Sequence, residues 1–507
     1  MLATAATFAI EGVESREITV EVDLRQGLPA FAVVGLPDTA VREARERVRA
    51  ALLNSGLEFP QKRVTANLAP AYLRKTGASF DLGLAAALLA ASEQVPAQSL
   101  EGCAVCGELS LSGRLRPIGG AIATAFGARD AGFSRLVVPV ENAAESALVE
   151  GVEILGVPSL DRLVELLHGR WHPDPPRRPA PRSDAAAVSP LDLADVRGQP
   201  DGKRALEIAA AGGHSLLMIG PPGAGKTMLA RRLPGLLPPP SFDEVVEITN
   251  VHSIAGLRRH GLVHERPFRA PHHSISVPGL VGGGSRPRPG EITLAHHGVL
   301  FLDELAEFSR PALEALRQPL EDRRVIVTRA QRTIEFPAAV LLVAALNPCP
   351  CGRAGGRCVC TASDSGRYRA RLSGPLLDRI DLVCELAPVA PLALAQGAPG
   401  TEEPSATVRE RVIAARERQD ERLRGTRAGC NGAMDGPLTR RQVRLGGEAR
   451  QRLLDGHLRL GLSARGHDRV LRLARTIADL DGRDAVSALD VDEALGFRMS
   501  GMLGEAA

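Results

Sequence analysis

The chain has 507 residues, 44% of them hydrophobic and 24% charged, and a formal net charge of +3. That length exceeds what a single hydrophobic core serves and points to three folded parts. The near-neutral charge excludes a globally basic field, so any nucleic acid must be held by local patches. No apolar run reaches the roughly 18 residues that a membrane span needs, and Met1-Leu2-Ala3-Thr4 does not have the form of a signal peptide. A cytoplasmic protein is expected, with no membrane partner. In that compartment the eight cysteines serve as thiols or metal ligands rather than disulfides.

Residues 1–170 are predicted as a first α/β domain. It carries Lys75-Thr76-Gly77-Ala78-Ser79, then Leu115-Arg116-Pro117-Ile118-Gly119-Gly120, then Leu136-Val137-Val138-Pro139-Val140-Glu141-Asn142. In order and spacing these resemble the proteolytic domain of Lon-type proteases, and the resemblance puts Ser79 at the nucleophile's position. A serine hydroxyl needs a base within hydrogen-bond reach, and that family supplies a lysine just after the Pro-Ile-Gly-Gly turn. Here those positions read Ala121-Ile122-Ala123-Thr124. The dyad is broken, and the domain is expected to persist as an assembly or docking surface. Cys103-Ala104-Val105-Cys106 lies in an apolar, strand-like run and reads as core packing.

From Trp171 to Arg182 the chain is Pro-rich without an apolar period, and residues 171–190 are assigned as an extended linker. An ATPase core is expected over residues 191–387. Its first strand, Ser215 to Ile219, runs into Gly220-Pro221-Pro222-Gly223-Ala224-Gly225-Lys226-Thr227, a complete Walker A loop. The glycines let successive N–H groups face phosphate oxygens, and the following helix adds its positive dipole end. Lys226 is assigned to the β/γ-phosphates of ATP and the Thr227 hydroxyl to Mg²⁺. Val299 to Leu302, ending in Asp303-Glu304, has the form of Walker B: Asp303 would hold Mg²⁺ through water, and Glu304 would polarise the attacking water. A third strand, Val340 to Leu346, ends at Asn347, an amide suited to orient that water. Arg379, in Leu377-Asp378-Arg379-Ile380, reads either as a salt-bridged surface residue or as an arginine finger reaching a neighbouring subunit's γ-phosphate.

Between these elements, Val325 to Thr328 and Thr333 to Phe336 read as two short strands with Arg329-Ala330-Gln331-Arg332 as their turn. Arg323, Arg324, Arg329 and Arg332 taken alone fit a solvated hairpin tip, and with the family resemblance given below they become the candidate DNA contacts, tracking phosphates without reading sequence. Aromatic residues are only 3% of the chain, so base stacking is not expected to dominate. Cys349-Pro350-Cys351 and Cys358-Val359-Cys360 form two Cys-x-Cys pairs across a short loop, a spacing that suits a closed, structural Zn²⁺ site, with free thiols as the alternative. On a strand the adjacent pairs His272-His273 and His296-His297 would point to opposite faces and not readily chelate one metal, so loop or ring-contact roles are expected for them. Past the Pro/Ala/Gly-rich stretch from Pro388, residues 388–507 show helical spacing and are assigned as a lid. Within it Arg465 stands at a helix start.

The four nucleotide-site elements, in this order, resemble the AAA+ ATPases. Arg266-Pro267-Phe268-Arg269-Ala270-Pro271-His272-His273, Val281-Gly282-Gly283-Gly284, Pro289-Gly290-Glu291-Ile292 and Asn347-Pro348-Cys349-Pro350-Cys351-Gly352 are similar to the magnesium-chelatase-like branch, specifically the ComM/YifB family. That resemblance covers essentially the whole chain. It implies a helix insertion near residues 251–290, a hairpin near 323–337, Arg465 as a second phosphate-sensing arginine, and a homohexameric ring that grips DNA. The attributed role is branch migration of recombination intermediates during natural transformation. Two other readings compete: the ATPase subunit of a metal chelatase, which lacks a Lon-like first domain, and an ATP-dependent protease, against which the missing lysine argues.

Overall fold

In the computed structural model, buried and open positions alternate along Leu2–Glu11 (β1) and Glu14–Arg25 (β2), which pair as an antiparallel hairpin. Gly12 turns it at φ 67°, a conformation that costs a glycine little. Ala30–Val34 (β3), Arg63–Ala69 (β4), Cys103–Val105 (β5), Glu108–Leu109 (β6), Leu115–Arg116 (β7), Arg135–Pro139 (β8) and Glu153–Val157 (β9) follow. Seven of these form one mixed sheet in the order β3-β4-β2-β1-β5-β8-β9, and β6 pairs with β7. The description covers residues 1–73, 75–178, 191–257, 261–284, 287–329, 332–353, 358–389 and 402–498, without the side chains of Arg329 and Arg332. Part of the expected linker, from residue 179 to 190, therefore lies outside the described residues.

Helix Asp81–Ala91 is apolar all round after its first residue, and every residue in it is buried. Asp81 tolerates this because Arg47 forks onto it, Nε to Oδ2 at 2.7 Å and Nη2 to Oδ1 at 2.9 Å. Burial still lifts its carboxyl to about 6 against the pull of that arginine. The stretch without a lysine forms the first turn of helix Ala121–Asp130, where Ala121, Ile122, Ala123 and Thr124 are all buried. None of these four buried side chains carries the amine that the resemblance implies there. Cys103 and Cys106 are buried, with Cys106 Sγ 3.2 Å from Thr7 Oγ1, as core packing requires.

Two compact units divide the chain. The first comprises Met1–Arg182, Ser241–Val263 and Ala330–Glu335, and the second comprises Ser183–Pro240, His264–Arg329 and Phe336–Ala507. The sequence boundaries do not anticipate the excursion at Ser241–Val263. Ser241 and Glu244 form a capping box that starts helix Phe242–Ile254. Its Val245 and Val246 join an apolar cluster with Phe8, Ile118 and Ile122 of the same unit. The Gly120 N–H donates to Ser253 Oγ at 2.8 Å, and Asn250 Nδ2 donates to the Val13 carbonyl at 3.0 Å.

The remaining strands are Leu216–Ile219 (β10), Phe268–Arg269 (β11), Gly282–Gly283 (β12), Arg288–Pro289 (β13), Val299–Leu302 (β14), Arg324–Arg329 (β15), Arg332–Pro337 (β16), Leu341–Leu346 (β17) and Leu382–Glu385 (β18). β11, β14, β17, β10 and β18 make, in that order, a sheet whose pairings are all parallel. Every residue of β10, β14 and β17 is buried, as in strands covered on both faces. Strand order reverses at β10, which lies between β17 and β18, and ligands of such sheets bind beyond the carboxyl ends at that switch point. β15 pairs with β16 in the expected hairpin. Helices Ser405–Leu423, Gly447–Leu460, Ala464–Leu480 and Ala488–Gly496 share one apolar core with β10 and helix Pro200–Gly212.

Candidate nucleotide site

Gly220 leaves β10 so close to its neighbour that a Cβ there would meet the Leu386 carbonyl oxygen at 2.8 Å. Gly223 and Gly225 stand at φ 81° and 88°, with open space where a side chain would begin. A side chain at either would be strained by the backbone rather than by contact. The loop ends in helix Lys226–Ala230. Lys226 Nζ donates to the carbonyls of Gly220 at 2.5 Å and Pro221 at 3.0 Å, and to Asn347 Oδ1 at 3.1 Å. Burial lowers its pKa, while Asp303 and Glu304 oppose that shift. Thr227 Oγ1 donates to Asp303 Oδ2 at 2.7 Å, and the Glu304 N–H donates to Asp303 Oδ1 at 3.0 Å. Thus β10, β14 and β17 deliver Lys226, Thr227, Asp303 and Asn347 to one place because the parallel sheet puts their carboxyl ends side by side.

This donor set fits a nucleoside triphosphate with Mg²⁺. The loop offers backbone N–H groups unshielded by side chains, an ammonium held only by exchangeable oxygens, and a hydroxyl–carboxylate pair of the kind that takes a hard cation. Glu304 occupies the left-handed region at φ 52°, an uncommon state for a non-glycine residue. Its carboxylate is half exposed and lies 3.5 Å from His273 Nδ1.

His273 is a neighbour that sequence reasoning missed. Both histidine pairs take the loop and ring-contact roles expected of them. Ring centroids are 4.1 Å apart for His272 and His273, and 3.9 Å for His296 and His297. Neither pair sits on a strand, so adjacent rings are free to lie side by side rather than on opposite faces. Gln199 was missed as well. Its Nε2 donates to the carbonyls of Ala224 at 3.1 Å and Ala387 at 2.7 Å, tying the phosphate loop to the end of the fifth strand. The available signal was Gly198-Gln199-Pro200, a turn before a Pro-started helix.

Arg379 and Arg465 line one cavity of about 480 Å³, together with Arg323, Arg469 and Arg472, and neither Lys226 nor Asp303 is among its lining residues. Arg379 is held there by Glu321 at 2.6 Å and by the Arg317 carbonyl at 3.0 Å. Arg323 ends helix Arg317–Asp322 at φ 56°. It therefore shares the cavity with Arg379, while Arg324 begins the hairpin. At the hairpin turn, Ala330, Gln331 and the side chains of Arg329 and Arg332 lie outside the described residues.

The sulfur atoms of Cys349, Cys351, Cys358 and Cys360 lie within 4.8 Å of one another. Cys349 Sγ is 3.3 Å from Cys351 Sγ and 3.5 Å from Cys358 Sγ.

A parallel five-stranded sheet carrying these Walker residues defines a phosphate-loop ATPase core, and the comparisons give its branch. Family models agree: "Magnesium chelatase, subunit ChlI" matches residues 192–393, "Subunit ChlI of Mg-chelatase" 20–142, and "Magnesium chelatase, subunit ChlI C-terminal" 402–498. The chain is 46% identical to the YifB protein of Salmonella typhimurium over 98% of its own length and 97% of that protein's. It is 44% identical to competence protein ComM of Haemophilus influenzae over the same shares of the two chains. Lon protease 2 of Bacillus subtilis is 30% identical over 28% of this chain and 27% of that protein, in keeping with the Lon-like first domain. The chain belongs to the ComM/YifB family of magnesium-chelatase-like AAA+ ATPases with an N-terminal Lon-protease-like domain. Among the described residues, no helix is long and apolar enough to cross a membrane.

Proposed function

We propose that this chain is a ring-forming motor that couples ATP hydrolysis to movement along DNA, acting in branch migration during natural transformation. The observation that carries the reading is the junction of Lys226, Asn347, Thr227 and Asp303 in a chain similar along its whole length to a competence protein. Bound Mg·ATP supplies the electrophilic phosphorus and the charge-neutralising metal. Toward it, Lys226 would exchange its carbonyl partners for phosphate oxygens, while Thr227, and Asp303 through water, would hold the metal. Glu304 would take the proton from a water that Asn347 orients, as that oxygen bonds to the γ-phosphorus and the bond to the β-phosphate oxygen breaks to release ADP and phosphate. The cavity position of Arg379 and Arg465, outside the lining of their own phosphate loop, supports a role toward a neighbouring subunit's nucleotide in a homohexamer. Arg323 and Arg324 flank the start of the hairpin whose Arg329 and Arg332 we assign to DNA phosphates. We assign residues 191–387 as ATPase core, 388–507 as helical lid, 171–190 as linker and 1–170 as the Lon-like domain. One Zn²⁺ on the four cysteines and a cytoplasmic location complete the assignment.

The alternative is the ATPase subunit of a metal chelatase. A family model described as a chelatase subunit matches residues 20–142, which keeps this reading in view. Full-length similarity to a competence protein favours DNA. An ATPase assay with single-stranded, duplex and four-way DNA as separate activators tests the choice. Stimulation by DNA, greatest with the four-way substrate, is the expected result, and indifference to all three overturns it.

A further inference from the structure

The four-cysteine cluster is built into the nucleotide site. Cys349 stands two residues beyond Asn347 at the exit of β17. Next to Cys351, Gly352 adopts φ 70°, and a Cβ there would meet Pro222 Cγ at 2.9 Å and Cδ at 3.1 Å and lie 4.0 Å from Asn347 Nδ2. The backbone of the cysteine loop is thus seated on the phosphate loop. On the other side, Cys360 immediately precedes Thr361, whose hydroxyl caps helix Ala362–Arg369 by accepting from the Asp364 N–H at 3.1 Å. Tyr368 of that helix is buried, which pushes its phenol up to about 12, and the backbone of Asn347 opposes that shift. Both arms of the cluster thus lead back to the neighbourhood of Asn347.

The sulfur geometry fits one metal ion. A disulfide needs about 2 Å between sulfur atoms, whereas four thiolates about 2.3 Å from a tetrahedral Zn²⁺ stand about 3.8 Å apart. The pair Cys351 and Cys358 is at 3.8 Å, and the separations from Cys349 to these two are 3.3 and 3.5 Å.

We propose that Zn²⁺ held by Cys349, Cys351, Cys358 and Cys360 fixes Asn347 and the phosphate loop in register, so that metal occupancy sets the rate of ATP turnover. The proposal rests on the reading of Asn347 and the phosphate loop as the nucleotide site. Elemental analysis of protein purified without added metal should find about one zinc per chain. Replacement by Co²⁺ should give the intense visible bands of a tetrahedral tetrathiolate. The double variant Cys358→Ser/Cys360→Ser should lose both the metal and roughly tenfold or more in kcat, with KM little changed. Gly352→Val keeps all four thiols, so it should keep its zinc and cobalt bands while kcat falls, because its side chain displaces Pro222.

Absence of zinc, or an octahedral cobalt spectrum, overturns the site. Wild-type turnover in zinc-loaded Gly352→Val, or in a folded metal-free double variant, overturns the coupling. A wild-type protein that binds zinc yet never hydrolyses ATP counts instead against the nucleotide reading on which the coupling rests.

Discussion

In the proposed mechanism Glu304 is the residue on which hydrolysis turns, and binding and chemistry then separate at its side chain. Glu304→Gln leaves Thr227 and Asp303 bonded at 2.7 Å, so nucleotide still binds while kcat falls by about 10² to 10⁴. Lys226→Ala instead removes the buried ammonium and weakens binding itself, by at least about tenfold for a charged hydrogen bond. Fluorescent-nucleotide titration beside phosphate release checks both, and near wild-type turnover in Glu304→Gln sinks the assignment. In the first unit Glu145 is 2% exposed and accepts from Asn142 Nδ2 at 2.7 Å; burial pushes its carboxyl up to about 7. A pKa raised in the fold is linked to stability that is present at acid pH and lost as pH climbs from the ordinary value of 4.5 to about 7. Glu145→Gln should remove that part of the pH dependence, at most about 3 kcal/mol. Denaturant melts at pH 4.5 and pH 8 give the comparison, and an unchanged difference between them counts against it. Residues such as Lys226 and Asp303 were legible in sequence because phosphate chemistry demands fixed residue types at fixed spacing. His273 beside Glu304 was not, since a loop histidine carries no spacing that announces a carboxylate distant in the chain.

At the scale of elements, the hairpin β15–β16 was readable from alternation and its polar turn, and the structure lengthens each strand by a residue or two over the expectation. Replacing both Arg329 and Arg332 with alanine should abolish stimulation of hydrolysis by DNA while leaving basal turnover in place. Affinity should fall equally for unrelated sequences, and the slope of log affinity against log salt should drop by about 0.7 to 0.9 for each phosphate no longer neutralised. An unchanged salt slope moves the DNA-binding surface elsewhere. Helix Phe242–Ile254 shows what an element's sequence withholds. Its buried Val245, Val246, Ile248 and Val251 announce a face to be covered, but not which core covers it. The same holds for Arg323, whose backbone turn at φ 56° at the foot of the hairpin also makes it a lining residue of the cavity of Arg379.

For the whole molecule, the test of assembly is complementation. Arg379→Ala should lose hydrolysis, yet mixing it with Lys226→Ala should restore part of the activity, because each ring would contain intact arginines beside intact phosphate loops. No recovery at any mixing ratio points to a role within one subunit. The order of the parallel strands and the two-unit division were only partly legible, since apolar patterning reveals which strands exist more readily than which lie side by side. The excursion of Ser241–Val263 into the first unit bears on inheritance as well as folding. A genetic exchange that traded the first unit at the Pro-rich tether would carry away Phe8, Ile118 and Ile122. It would strand Val245, Val246 and Leu262 without the side chains they bury against. Each uncovered apolar side chain costs about 1.5 to 3 kcal/mol, against a total domain stability of about 5 to 15 kcal/mol. An exchange at that stretch is therefore expected to leave an open wound in both halves, although the Pro-rich sequence invites a cut there.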